Sequence, residues 1–128
     1  MGQPLNAQYA EVAAGFWRGL AHPIRLRVLQ LLRAEGPMPV GAIAEALALG
    51  QGHLSNHLSC LKTCGFVRVV PDGRYAYYQL ADDRIAALLD LGEAVMRDHV
   101  LGVMSCVVVR AEGESGLEES SLEVVSRE

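Results

Sequence analysis

Between Val40 and Cys64 the chain carries the pattern that most narrows its fold: two short helical stripes of apolar residues separated by Ala48-Leu49-Gly50. Ile43 and Leu47 mark the apolar side of the first segment, Val40 to Leu47, and Leu54, Leu58 and Leu61 mark that of the second, about Gln51 to Cys64. Two helices joined by a short turn containing Gly form the helix-turn-helix pattern. Gly65 follows at the place where a left-handed cap is expected. Then come two β-prone runs rich in Val and Tyr, Phe66 to Val70 and Arg74 to Leu80, joined by Pro71-Asp72-Gly73. A short Asp-Gly loop between such runs reads as a hairpin. The expected fold is mainly α with a β-hairpin wing, a winged helix-turn-helix.

Helical patterns flank this unit. Val12, Ala13, Phe16, Trp17 and Leu20 set a helix from about Tyr9 to Leu20. Pro23 suits the first position of the next, to about Arg33, because proline's missing N–H would find no partner there. That helix buries Ile24, Val28, Leu29, Leu31 and Leu32, and Gly36-Pro37 ends it. From Asp82 to about Met104 one long helix is expected, with Asp82 and Asp83 suiting its N-terminus. Its apolar face is more than one small wing could cover. With the N-terminal helix it predicts a homodimer interface. Residues 1–110 read as one DNA-binding and dimerisation domain, and 111–128 as an acidic, disordered tail.

A net charge of −4 argues against nucleic acid only until it is divided. Residues 1–80 hold seven basic groups against four acidic, whereas residues 81–128 hold four against eleven. The first two-thirds, at +3, suit a phosphate backbone. No window reaches the roughly 18–20 apolar residues of a membrane span. The N-terminus lacks the basic, apolar, small-residue order of a signal peptide, so a cytoplasmic protein without membrane attachment is expected. No phosphate loop, activated nucleophile or carboxylate pair points to an enzyme.

In a helix-turn-helix the N-terminal residues of the second helix meet base edges in the major groove. Here those are Gln51, Gly52, His53, Ser55 and Asn56. Gln and Asn bond adenine bidentately, Ser bonds either base type, and Gly52 permits close backbone approach. Arg74, beside Asp72 at the wing tip, suits a phosphate or the minor groove, and Arg68 is a weaker phosphate candidate. The expected partner is double-stranded operator DNA. His57 is expected to hydrogen-bond within the domain.

The three cysteines are Cys60, Cys64 and Cys106, an odd number that suits reduced thiols better than a disulfide framework. Cys60 and Cys64 are one helical turn apart, about 80–120° from the core direction, on a stripe shared with His53 and His57. Two thiolates so spaced bridge one soft metal ion, with a third ligand from elsewhere. Zn(II) prefers four ligands, so His57 or His53 would then complete the set. Metal binding requires deprotonated thiols. The alternative is a winged-helix repressor that senses redox state through the same two thiols.

The segments GLAHPIRLRVLQLL, AIAEALALGQGHLSNHLSCLKTCGFVRVV and DGRYAYYQL resemble the ArsR/SmtB family of bacterial metal-responsive repressors, over about Trp17 to Val109. The resemblance implies a homodimer that represses its own operon until an inducer releases it. Within the family the chain is most similar to the mycobacterial cadmium- and lead-sensing branch, which shares SNHLSCL and a Cys four residues on. By that resemblance Cys60, Cys64 and Cys106 are the metal ligands, the last reaching from the partner subunit. Three thiolates favour Cd(II) or Pb(II) as inducer, with Hg(II) and As(III) next. Other family sites have no counterpart: PVGAIAEAL carries no Cys, and His99 is the only His of the long C-terminal helix.

Overall fold

The structure is a computed structural model that describes residues 6–114, with side chains to residue 107. Its elements run α1 (Ala7–Leu20), α2 (Pro23–Glu35), β1 (Met38–Pro39), α3 (Val40–Leu47), α4 (Gln51–Thr63), β2 (Val67–Asp72), β3 (Tyr75–Leu80), α5 (Asp83–Asp98) and α6 (Val100–Glu114). The chain divides into two compact units, the first ending at Ala87 and the second beginning at Leu88.

In the first unit the helix ends are written into the sequence. Asn6 Oδ1 accepts from the Tyr9 N–H at 2.8 Å and starts α1. His22 Nδ1 accepts from the Ile24 N–H at 3.1 Å, with Pro23 in the first turn of α2. The turn between α3 and α4 pivots on Ala48, left-handed at φ 58° and ψ 47°. That conformation costs an L-residue about 1–2 kcal/mol, and here it lets the Leu49 N–H reach the Ala44 carbonyl at 2.9 Å. At the far end of α4, Gly65 (φ 87°) is left-handed as expected. The Gly65 N–H bonds the Lys62 carbonyl at 3.1 Å and the Phe66 N–H bonds that of Leu61 at 2.9 Å. These two bonds form a Schellman cap, which turns the chain from helix into strand.

The core gathers most of the expected residues: Val28 and Leu29 from α2, Ile43 from α3, and Leu54, Leu58 and Leu61 from α4 are fully buried, joined by Phe66, whereas Ile24 and Leu31 are only half-buried. Each fully buried side chain is worth about 1.5–3 kcal/mol of transfer free energy, so α4 is held mainly by its leucine row. No buried side-chain nitrogen or oxygen among the described residues lacks a partner.

The wing differs from expectation in two ways. It is a three-stranded antiparallel sheet of order β1-β3-β2, because Met38 and Pro39 pair with Tyr78 and Tyr77. The hairpin is also tighter, since β2 runs on through Pro71 and Asp72, the latter opposite Tyr75. Pro71 is tolerated because β2 is an edge strand, where a missing N–H can face water. Gly73, at φ 67°, takes the positive φ that a two-residue turn demands.

The long C-terminal helix is two helices. Asp82 Oδ1 accepts from the Arg84 N–H at 2.8 Å before α5, as its capping role requires. At His99 the N–H bonds the Met96 carbonyl, three residues back, at 3.1 Å, and this tightened turn separates α5 from α6. α6 continues to Glu114, past the expected boundary at 110. The remainder of the expected disordered tail, 115–128, lies outside the described residues. In the second unit Leu91, Val95, Met96, Leu101 and Met104 are exposed on the single chain. Among the described residues no helix is long and apolar enough to cross a membrane.

Candidate nucleic-acid interface and thiol pair

The leucine row of α4 points inward, which fixes what the rest of the helix shows to solvent. Gln51, Gly52, His53, Ser55 and Asn56 are all exposed, on the N-terminal two turns. Nothing lies within 4 Å of the position a Cβ would take at Gly52, so another backbone can approach closely. Arg74 is exposed beside Gly73 at the hairpin tip. Arg68 is engaged within the sheet: it stands opposite Gln79 on β3, and with the Gln79 amide turned to satisfy its neighbours its oxygen accepts from Arg68 Nε at 3.0 Å and Nη2 at 2.8 Å.

A second surface runs along the flank of α4 that meets α1 and α2. His57 does hydrogen-bond within the domain, and its partner is Arg25, 32 residues away, whose Nε donates to His57 Nδ1 at 3.1 Å. The same guanidinium donates through Nη1 to the Gly19 carbonyl at 3.1 Å. The His57 ring lies 4.3 Å from that of His22 and 5.3 Å from that of His53, centre to centre. Burial lowers the His57 pKa from its ordinary 6.5, with His22, Arg25 and His53 acting in the same direction. Neutral His57 accepts at Nδ1 and so carries its proton on Nε2.

One turn on, Cys60 and Cys64 are both half-buried and free, and near enough for the Cys60 thiol to act on that of Cys64. Cys64 closes α4 as its C-cap. Burial pushes the Cys64 thiol up; Cys60 adds to the rise, and Arg25 pulls the other way. Gly19 gives the pair room, since a Cβ there would stand 3.0 Å from Cys64 Sγ. Cys106 lies in the second unit, exposed on α6. Among the described residues no group of three His, Cys, Asp or Glu side chains is arranged to hold a metal ion. Two of the three expected ligands are thus brought together within one chain.

The sequence reading passed over Arg25, His22 and Gly19. The residues before Pro23 read only as a helix start, and nothing local ties Arg25 to a histidine 32 positions on.

A helix-turn-helix with a polar, exposed N-terminal half on its second helix, followed by a hairpin, defines the winged-helix class of DNA-binding domain. Residues 22–69 match the bacterial regulatory protein family arsR. The chain is 33% identical over 106 residues to a probable mercury resistance operon repressor of Streptomyces lividans, covering 83% of this chain and 84% of that protein. It is 40% identical over 104 residues to the HTH-type transcriptional regulator CmtR of Mycobacterium tuberculosis, covering 79% and 84%. It also resembles the solution structure of the homodimeric winged helix-turn-helix DNA-binding domain of Mb0332 from Mycobacterium bovis. The TM-score there is 0.66 at 32% identity, covering 77% of this chain and 93% of that one. The chain belongs to the ArsR family of bacterial transcriptional regulators.

Proposed function

We propose that this chain is a metal-responsive transcriptional repressor. It binds double-stranded operator DNA as a homodimer and is released by a thiophilic heavy metal ion held by Cys60, Cys64 and Cys106. Cd(II) or Pb(II) is favoured as inducer, with Hg(II) and As(III) next, because three sulfurs and no obligatory fourth donor suit soft ions. The observation that carries this reading is the pairing of half-buried Cys60 and Cys64, one turn apart, at the end of the helix whose other end exposes Gln51, Gly52, His53, Ser55 and Asn56. The pair fits two donors of such a site. Cys106 is the remaining thiol of the sequence, and in this reading it is the third donor, given across the dimer. Dimerisation is supported by the homodimeric relative and by the apolar side chains exposed on α1, α5 and α6, such as Val12, Leu91 and Leu101. Arg74 and the N-terminal half of α4 contact DNA, with two recognition helices meeting adjacent major grooves about 34–36 Å apart.

The test is ultraviolet titration with Cd(II), where thiolate-to-metal charge-transfer bands count the sulfurs, repeated with Cys106→Ser. Cys60→Ser and Cys64→Ser should bind operator DNA normally and no longer release it when Cd(II) is added. Release from both variants would show that the ligand assignment is wrong. The paired thiols also favour one other reading, a redox switch: oxidant-driven release of metal-free protein, reversed by a thiol reductant, would select it.

A further inference from the structure

Arg25 sits where three helices meet. From α2 its Nε donates to His57 on α4 and its Nη1 donates to the Gly19 carbonyl at the end of α1, both at 3.1 Å. A guanidinium is a rigid planar fork, so these two bonds fix each other's direction. The leucine row of α4 attaches the helix by non-directional apolar burial, and the fork adds a directional restraint on its flank. Each end of the fork leads somewhere. Gly19 lies against Cys64 Sγ, so closely that a Cβ would stand 3.0 Å away. His57 lies edge-on to His53, one of the exposed residues at the N-terminal end of α4. Contacts therefore run without a gap from Cys64 through Gly19, Arg25 and His57 to His53.

We propose that Arg25 is a positioning residue for DNA binding: its guanidinium holds α4 in its reading orientation by bracing His57 against the Gly19 carbonyl, and the state of the Cys60–Cys64 pair reaches the DNA-facing end of α4 through that brace. The second half rests on the metal-sensing function proposed above; the first does not. A double-mutant cycle measures the coupling directly.

The measurement is fluorescence anisotropy of the full-length protein on a labelled duplex from upstream of its own gene, first without metal. Arg25→Lys keeps the charge but loses the fork, and His57→Phe removes the acceptor. Each should weaken binding about tenfold, the worth of one charge-assisted hydrogen bond. The double variant should be no weaker than either single one, because both remove the same brace. His57→Gln offers an amide oxygen to Arg25 and should restore most of the affinity, which a general loss of folding would not allow. Losses that multiply in the double variant, or wild-type binding by Arg25→Lys, would overturn the brace. A second series adds Cd(II). If the wild type is released, the Arg25→Lys variant should keep the thiolate charge-transfer band but lose most of the metal-dependent drop in affinity, and an undiminished drop would overturn the transmission. If the wild type is not released, the metal-sensing function fails, and the metal-free cycle still decides the brace.

Discussion

Gly19 is the buried residue of α1, and an alanine there pushes a methyl group into the thiol pair. Its Cβ would stand 3.0 Å from Cys64 Sγ, 3.4 Å from Phe66 Cε2 and 3.5 Å from Cys64 Cβ. Favourable heavy-atom contacts between apolar groups begin at about 3.5 Å, so the clash is with the sulfur. Phe66 is fully buried and has no space to retreat, whereas half-buried Cys64 can turn about its Cα–Cβ bond and carry its sulfur away. Two terms compete. Alanine in place of glycine gains up to about 1 kcal/mol within a helix, less here because Gly19 is one residue from the end of α1. Overpacking a tight contact costs about 1–3 kcal/mol. Gly19→Ala should therefore destabilise by about 1 kcal/mol. In a Cys64→Ala background the sulfur is gone, and the same change should be neutral or stabilising by a few tenths, a coupling of about 1–2 kcal/mol. Urea unfolding under reducing conditions measures both, at one protein concentration because a dimer's stability depends on it. Equal costs in the two backgrounds would refute the contact between Gly19 and Cys64 as the origin of the strain.

Leu58→Ala removes a fully buried residue from the middle of the α4 leucine row and should cost about 2–5 kcal/mol in the same unfolding assay. Asn56→Ala should relax discrimination at one base pair of the operator by about 1–3 kcal/mol, whereas Arg74→Ala should weaken binding to all duplexes alike and reduce the salt slope by about 1; anisotropy on matched and mutated duplexes separates the two. His57 gives the pH dependence its sign. Its folded pKa lies below the ordinary 6.5, so the unfolded chain takes up a proton first as pH falls. Its contribution to stability is complete above that range and is lost as pH falls from there through the folded value. Thermal melts between about pH 8 and pH 5 should show this loss, and His57→Gln should remove that part of it.

The fold was legible wherever one segment carried its own instructions. The apolar spacing of Val40 to Cys64, Gly65 after the helix and the Val- and Tyr-rich runs each specify a local shape, and those shapes were found. β1 was not legible, because Met38 and Pro39, following Pro37, make a strand only by virtue of Tyr77 and Tyr78 beside them. The hairpin loop is shorter than the Pro-Asp-Gly pattern predicts, because the edge position of Pro71 lets it remain in the strand. The break at His99 left no mark in the apolar periodicity, which runs through it. At the site, the i, i+4 cysteines could be seen as a pair, since helix geometry alone brings them together. The Arg25–His57 bond could not, since it depends on how α2 crosses α4.

The division of α4 into faces explains why a sensing site would be put where the thiols are. Thirteen residues carry a core row, Leu54, Leu58 and Leu61, and a solvent-facing end, Gln51 to Asn56. A metal site on the core row would exchange buried leucine for thiolate and weaken the attachment of the helix. One on the DNA-facing end would be blocked by the operator itself, making metal and DNA direct competitors for the same atoms. The flank with His57, Cys60 and, at the cap, Cys64 avoids both. A metal bound there would meet DNA only through the orientation of the helix, so each would alter the other's affinity by one shared factor, typically about 5–150-fold. Under the proposed function, operator DNA should therefore weaken Cd(II) binding by the same factor by which Cd(II) weakens DNA binding. Titrating Cd(II) into free and DNA-bound protein checks this equality, and mutual exclusion without a measurable ternary complex would mean that the metal acts at the DNA-facing end instead.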